Sequence, residues 1–104
     1  MGGGGGPASS GPRLIGVSGA YMGHVFNLAG AMTLGRDATN GVPLDRDTTA
    51  SRRHAQITDV GGGFRVQDLG SSNGTFLNGA KVTDAPLQPG DEVTVGGTRF
   101  RFEA

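Results

Sequence analysis

Cysteine and tryptophan are absent from this 104-residue chain, and tyrosine occurs once. Without a thiol there is no disulfide staple and no thiolate metal site. The absence is compatible with a reducing cytosol and does not establish the compartment. No run of about 18 or more apolar residues occurs, so no membrane-spanning helix is expected. An excess of either charge is missing too. Nine basic and nine acidic side chains cancel, so the whole molecule exerts little long-range pull on nucleic acid or an anionic bilayer. Any attraction for an anion has to come from local placement of charge.

What is present is glycine, 21 residues of it, with five phenylalanines and no convincing helical stripe. The length suits one domain. Gly2–Gly6 and the following Pro7–Pro12 read as a flexible linker or cloning remnant, which puts the domain at residues 13–104. Residues 1–10 have no basic region followed by an apolar core, so they do not read as a signal peptide. They contain no threonine either, so capture of its own tail is not expected of the domain.

Past Arg13 the glycines punctuate short apolar segments. Leu14–Val17, Gly23–Leu28 and Met32–Leu34 read as strands, and Val42–Leu44 as an edge segment because Pro43 lacks a ladder donor. Ala55 and Ile57 alternate with Gln56 and Thr58; Phe64 and Val66 alternate with Arg65 and Gln67. That is period two, with one face packed and one wet, and Gly61–Gly63 makes the hairpin between them. Thr75–Leu77 is closed by the Asn78–Gly79 turn. Val93 and Val95 lead through Gly96–Gly97 to Phe100 and Phe102. Many short strands with Gly and Pro turns predict an all-β fold, a sandwich of two antiparallel sheets.

Two runs stand apart from this pattern: Ser51-Arg52-Arg53-His54 and Gly70-Ser71-Ser72-Asn73-Gly74-Thr75. They combine hydroxyls, forked cations and tight-turn residues, with no carboxylate inside either. Such groups suit holding a dianion still and are poor material for breaking bonds. Arg36, Ser51, Arg52 and Ser72 adjoin expected strand ends, where loops of a rigid sandwich converge on a ligand. Arginine offers a permanently charged fork and serine a rotatable donor. Each charge-assisted hydrogen bond is worth roughly 1.5–3 kcal/mol before its costs. Asn73 supplies both a donor and an acceptor, which suits reading an extended peptide backbone. Gly74 permits a bend without a Cβ, and Thr75 can bridge the loop internally.

Ser71, Arg53, Asn78 and Lys81 are secondary contacts in this reading, each with an ordinary alternative. Arg53 can equally form a surface ion pair, Asn78–Gly79 can be only a turn, and Lys81 can be a solvated hairpin lysine. His54 reads as a buried post whose two ring nitrogens tie separate backbone segments. A metal or catalytic role would need a partner, and only His24 exists. No metal or cofactor is expected.

Taken in order, Gly35-Arg36, Ser51-Arg52-Arg53-His54, Ser72-Asn73-Gly74-Thr75, Asn78-Gly79 and the closing Leu87–Gly96 resemble the forkhead-associated (FHA) domain family across roughly residues 13–103. The resemblance implies a β-sandwich of about eleven short strands that binds phosphothreonine in an extended peptide. It implies phosphate contacts for Ser51 and Arg52, a contact of Arg36 with the phosphate or the nearby peptide backbone, a ligand-facing hydroxyl at Ser72, and a peptide-backbone contact for Asn73. Gly35, His54, Gly74 and Gly79 match architectural positions. It further implies packing of the threonine methyl, hence preference over phosphoserine. Selectivity beyond the phosphoresidue falls to residues 37–40, 45–50 and 78–84.

The expected partner is a threonine-phosphorylated protein, the substrate of a Ser/Thr kinase, met in the cytoplasm of a bacterial signalling system. The domain would act there as an adaptor or as part of a larger or membrane-associated protein. Nucleic acid and direct membrane insertion are not expected. A phosphate-independent structural adaptor is the alternative. Phosphate hydrolysis lacks paired acids, a P-loop or a metal cluster, so no enzyme is expected.

Overall fold

Period-two sequence becomes strand wherever it occurs. The computed structural model describes residues 11–104. Of the linker expected over residues 1–12, the first ten lie outside the described residues. Gly11 and Pro12 lead into the first strand, and the Pro12 carbonyl already accepts the Leu28 N–H at 2.9 Å.

Eleven strands follow: β1 Arg13–Ser18, β2 Val25–Asn27, β3 Met32–Gly35, β4 Val42–Pro43, β5 Ala55–Asp59, β6 Phe64–Asp68, β7 Thr75–Leu77, β8 Ala80–Val82, β9 Asp84–Leu87, β10 Glu92–Val95 and β11 Thr98–Glu103. One sheet has the order β2-β1-β11-β10-β7-β8, and the other β4-β3-β5-β6-β9. The alternating residues face inward from both sheets. Leu14, Val93, Val95, Phe100 and Phe102 meet Leu34, Ala55, Ile57, Val66 and Leu87 in one buried core. Phe64 and Phe102 pack across the layers with ring centroids 5.3 Å apart. Truncating a buried phenylalanine such as Phe100 removes about 3–5 kcal/mol.

Three features depart from the sequence reading. β4 lies at a sheet edge as Pro43 requires, but it pairs with β3 in parallel, with Leu34 opposite Val42. A crossing loop from Arg36 to Gly41 brings it there. β8 and β9 carry no readable period. β8 is three residues long and exists because the Asn78–Gly79 hairpin folds it onto β7. β9 contains Pro86, which a turn would also favour; at the edge beside β6 a strand tolerates the missing donor.

Candidate functional site

Loops 36–41, 44–54 and 69–74 meet at the end of the sandwich where β3 stops and β5 starts, and Ser51 is their junction. Its carbonyl accepts the Arg36 N–H at 2.9 Å. Its hydroxyl oxygen accepts the Ser72 N–H at 3.0 Å. The hydroxyl hydrogen therefore remains available to donate outward. One residue further, the Arg52 carbonyl accepts the Asp37 N–H at 3.2 Å. Asn73 reaches back from the third loop, donating through Nδ2 to the Thr49 carbonyl at 2.9 Å. That bond leaves Asn73 its carbonyl oxygen and its second N–H, the pair needed to engage a peptide unit.

His54 holds two of these loops together. It is fully buried, at 0% exposure. Nδ1 accepts the Ser51 N–H at 3.1 Å, and Nε2 lies 2.7 Å from the Gly74 carbonyl. A carbonyl can only accept, so Nε2 carries the proton. The expected post is present, with both nitrogens committed to backbone and neither free to meet a metal or a substrate.

Two further posts were not singled out in the sequence. Asp47 is buried and collects the Thr49 N–H and hydroxyl, the Gly97 N–H and the Thr98 hydroxyl. It pins the loop that presents Ser51 to the β10–β11 hairpin. Asp68 collects the Gly70 and Ser71 N–H groups and the Ser71 and Thr75 hydroxyls, shaping the loop that presents Ser72 and Asn73. Burial pushes each carboxyl up, and the hydrogen bonds outweigh it. For Asp47 these come from Thr49, Thr98 and Gly97, for Asp68 from Ser71, Thr75 and Gly70; both carboxyls end below the ordinary value. The signal was legible: Asp-x-Thr at Asp47–Thr49 and Asp-x-Gly at Asp68–Gly70 are side-chain-to-backbone turn patterns. Asn40 adds a third tie, donating to the Asp37 and Arg52 carbonyls at 2.8 and 2.7 Å.

Two glycines are required by this geometry. A Cβ on Gly35 would lie 2.1 Å from the Arg52 carbonyl oxygen, so only glycine lets the first loop pass under the second. Gly74 has φ +88°, and a Cβ there would meet the Lys81 Cε at 2.7 Å. Thr75 is buried and closes the loop internally through Asp68, as its position suggested.

Positive charge gathers on this rim. Arg36, Arg52, Arg53 and Lys81 are all exposed, and none enters the ion pairs found among the described residues, Arg65–Asp84, Arg99–Glu92 and Arg101–Glu103. The carboxyl near them, Asp37, is held below its ordinary value by the Thr39 amide and hydroxyl, with the Arg52 and Arg53 charges adding to the effect. Ser71 and Asn78, expected as secondary contacts, are engaged within the protein. The Ser71 hydroxyl donates to Asp68 and accepts the Gly74 N–H. The Asn78 amide group donates to Asp91 and accepts the Glu92 N–H, fixing the hairpin in which Gly79 has φ +86°.

A family model described as the FHA domain matches residues 32–96, which takes in the whole of this loop cluster. The chain belongs to the forkhead-associated domain family. The glycogen accumulation regulator GarA of Mycolicibacterium smegmatis is 47% identical over 68 residues, covering 65% of this chain and 42% of the regulator. Among solved structures, an FHA domain from a study of phosphothreonine-dependent interactions superposes with a TM-score of 0.82 at 30% identity, covering 91% of this chain and 97% of that one. EmbR of Mycobacterium tuberculosis, in complex with a low-affinity phosphopeptide, superposes at 0.81 with 30% identity, covering 88% of this chain and 24% of EmbR. The chain thus spans under half the length of GarA and a quarter of EmbR. FHA domains are non-catalytic interaction modules that bind phosphothreonine peptides.

Proposed function

We propose that this FHA domain captures an extended, threonine-phosphorylated segment of a partner protein across the rim formed by the three loops. Ser51, Arg52, Arg36 and Ser72 take the phosphate, and Asn73 takes the peptide backbone beside it. The observation that carries this reading is the pair of hydrogen bonds that Ser51 accepts, from the Arg36 N–H at its carbonyl and from the Ser72 N–H at its hydroxyl, which unites groups from three separate loops. Phosphorylation supplies about two negative charges and three acceptor oxygens, matching the unpaired cations and the free hydroxyl hydrogen. The mechanism is reversible capture, with no bond made or broken in the ligand. The partner is the substrate of a Ser/Thr kinase, met in the cytoplasm, and the domain serves as an adaptor or as part of a larger protein.

Calorimetric titration with a panel of synthetic peptides tests the reading, each peptide in phosphothreonine, phosphoserine and unphosphorylated form. Two or three phosphate hydrogen bonds of about 1.5 kcal/mol or more each require about a hundredfold or greater preference for the phosphothreonine form over the unphosphorylated one. Absence of any preference across the panel rejects the proposal. A native partner retained equally by Arg52→Ala and Ser51→Ala variants would instead make the domain a phosphate-independent adaptor.

A further inference from the structure

Lys81 has no evident task in the fold. It lies in β8 opposite Phe76 of β7, and its stem runs along Gly74. A Cβ built on that glycine would sit 2.7, 3.3 and 3.5 Å from Lys81 Cε, Cδ and Cγ. The stem is thereby laid against the loop that presents Ser72 and Asn73, and the ammonium follows one bond beyond Cε. Among the other rim cations, Arg36 bonds the Ser51 carbonyl through its backbone N–H, and Arg52 and Arg53 act on Asp37. Lys81 is thereby the rim cation whose stem lies on the loop that carries Ser72 and Asn73.

Among the described residues no ion pair engages Lys81. Asp68 is engaged by four donors of its own loop. Asp84 is held by Arg65 and Gln67, and Asp91 by Gln88 and Asn78. A phosphate held by Ser51 and Arg52 leaves the ammonium unsatisfied, on the Asn73 side of the ligand.

We infer that Lys81 is a specificity-determining residue that pairs with an acidic side chain flanking the phosphothreonine in the captured peptide. This rests on the phosphopeptide reading above and deepens it, naming the ligand as an acidic phosphothreonine segment. The pair sits at the solvent boundary, so its contribution is that of an exposed ion pair held by a packed stem, about a two- to fivefold difference in affinity.

The test uses two synthetic phosphothreonine peptides, one with glutamate at the three positions on each side of the phosphoresidue and one with glutamine at all six. The wild-type protein binds the glutamate peptide about two- to fivefold more tightly at low salt, and the gap narrows as salt screens it. Lys81→Gln keeps the stem against Gly74, removes most of the gap, and lowers the glutamine peptide's affinity less than the glutamate peptide's. Lys81→Arg preserves the gap. Equal binding of both peptides by the wild type overturns the inference and leaves phosphothreonine capture standing. So does a gap that persists in Lys81→Gln, or one that disappears only in Arg53→Gln. Failure of the wild type to prefer either peptide over its unphosphorylated form removes the parent reading as well.

Discussion

His54 Nε2 reaches the carbonyl oxygen of Gly74 at 2.7 Å, twenty residues along the chain, inside a fully buried site. The opposite ring nitrogen takes the Ser51 N–H. This imidazole is why two loops on different strands keep one geometry. Among the described residues no buried side-chain polar atom lacks a partner, and removing the ring leaves two backbone groups without theirs. His54→Ala orphans a backbone donor and a backbone acceptor, each worth about 1–3 kcal/mol when buried and unpaired. We expect urea denaturation to show a loss of at least about 2 kcal/mol. Phosphopeptide affinity at a temperature where the variant is still folded falls as well, because Ser51 and Ser72 drift apart.

Ser51→Ala separates binding from folding. The hydroxyl's single intramolecular partner is the N–H of Ser72, an exposed residue, so water replaces it. The melting temperature stays within about 4 °C of wild type, while affinity for a phosphothreonine peptide drops about tenfold or more. A large loss of stability with unchanged affinity would show that the hydroxyl serves the loop and not the ligand.

Gly35→Ala forces a clash with backbone. The new Cβ would begin 2.1 Å from the Arg52 carbonyl oxygen, which cannot swing away as a side chain can. Overpacking of this kind costs about 1–3 kcal/mol, and it displaces the loop bearing Arg52. Gly62→Ala, where a Cβ would meet nothing within 4 Å, is the matched control. Thermal melts of the two variants differ by several degrees on this account; equal melts would contradict it.

Acid should loosen the domain through Asp47 and Asp68. Both carboxyls lie below the ordinary value of 3.8 in the folded protein, so the folded state binds fewer protons than the unfolded one. Their stabilisation is complete above about pH 4 and is lost as pH falls from there through the lowered folded values. Urea midpoints measured between pH 7 and pH 2 should hold until about pH 4 and then decline. Asp47→Asn, unable to titrate, starts less stable and declines less. A wild-type midpoint unchanged down to pH 2 would exclude the mechanism.

How far the sequence could be read depended on how local each cause was. Ala55–Ile57 and Phe64–Val66 announced themselves because alternation within one strand is decided by the two faces of a sheet. Asn78–Gly79 announced its turn because positive φ suits those residues. β8 and β9 did not announce themselves. Three residues carry no period, and Pro86 carries opposite meanings at an edge and in a turn. Asp47 was legible only in part. Its Asp-x-Thr turn is local, but two of its four donors come from Gly97 and Thr98, about fifty residues away.

By itself, then, the chain determined an all-β domain with hydroxyls, forked cations and bend-tolerant glycines at its strand ends, since strand period and turn chemistry act over a few neighbours. Only the tertiary structure decided that Arg36, Ser51 and Ser72 share one rim, that Asn78 and Ser71 are engaged by hydrogen bonds within the protein, and that Lys81 lies along Gly74. Those outcomes depend on which loops the two sheets bring within hydrogen-bonding reach, and distance between residues far apart in sequence is set by packing the whole core.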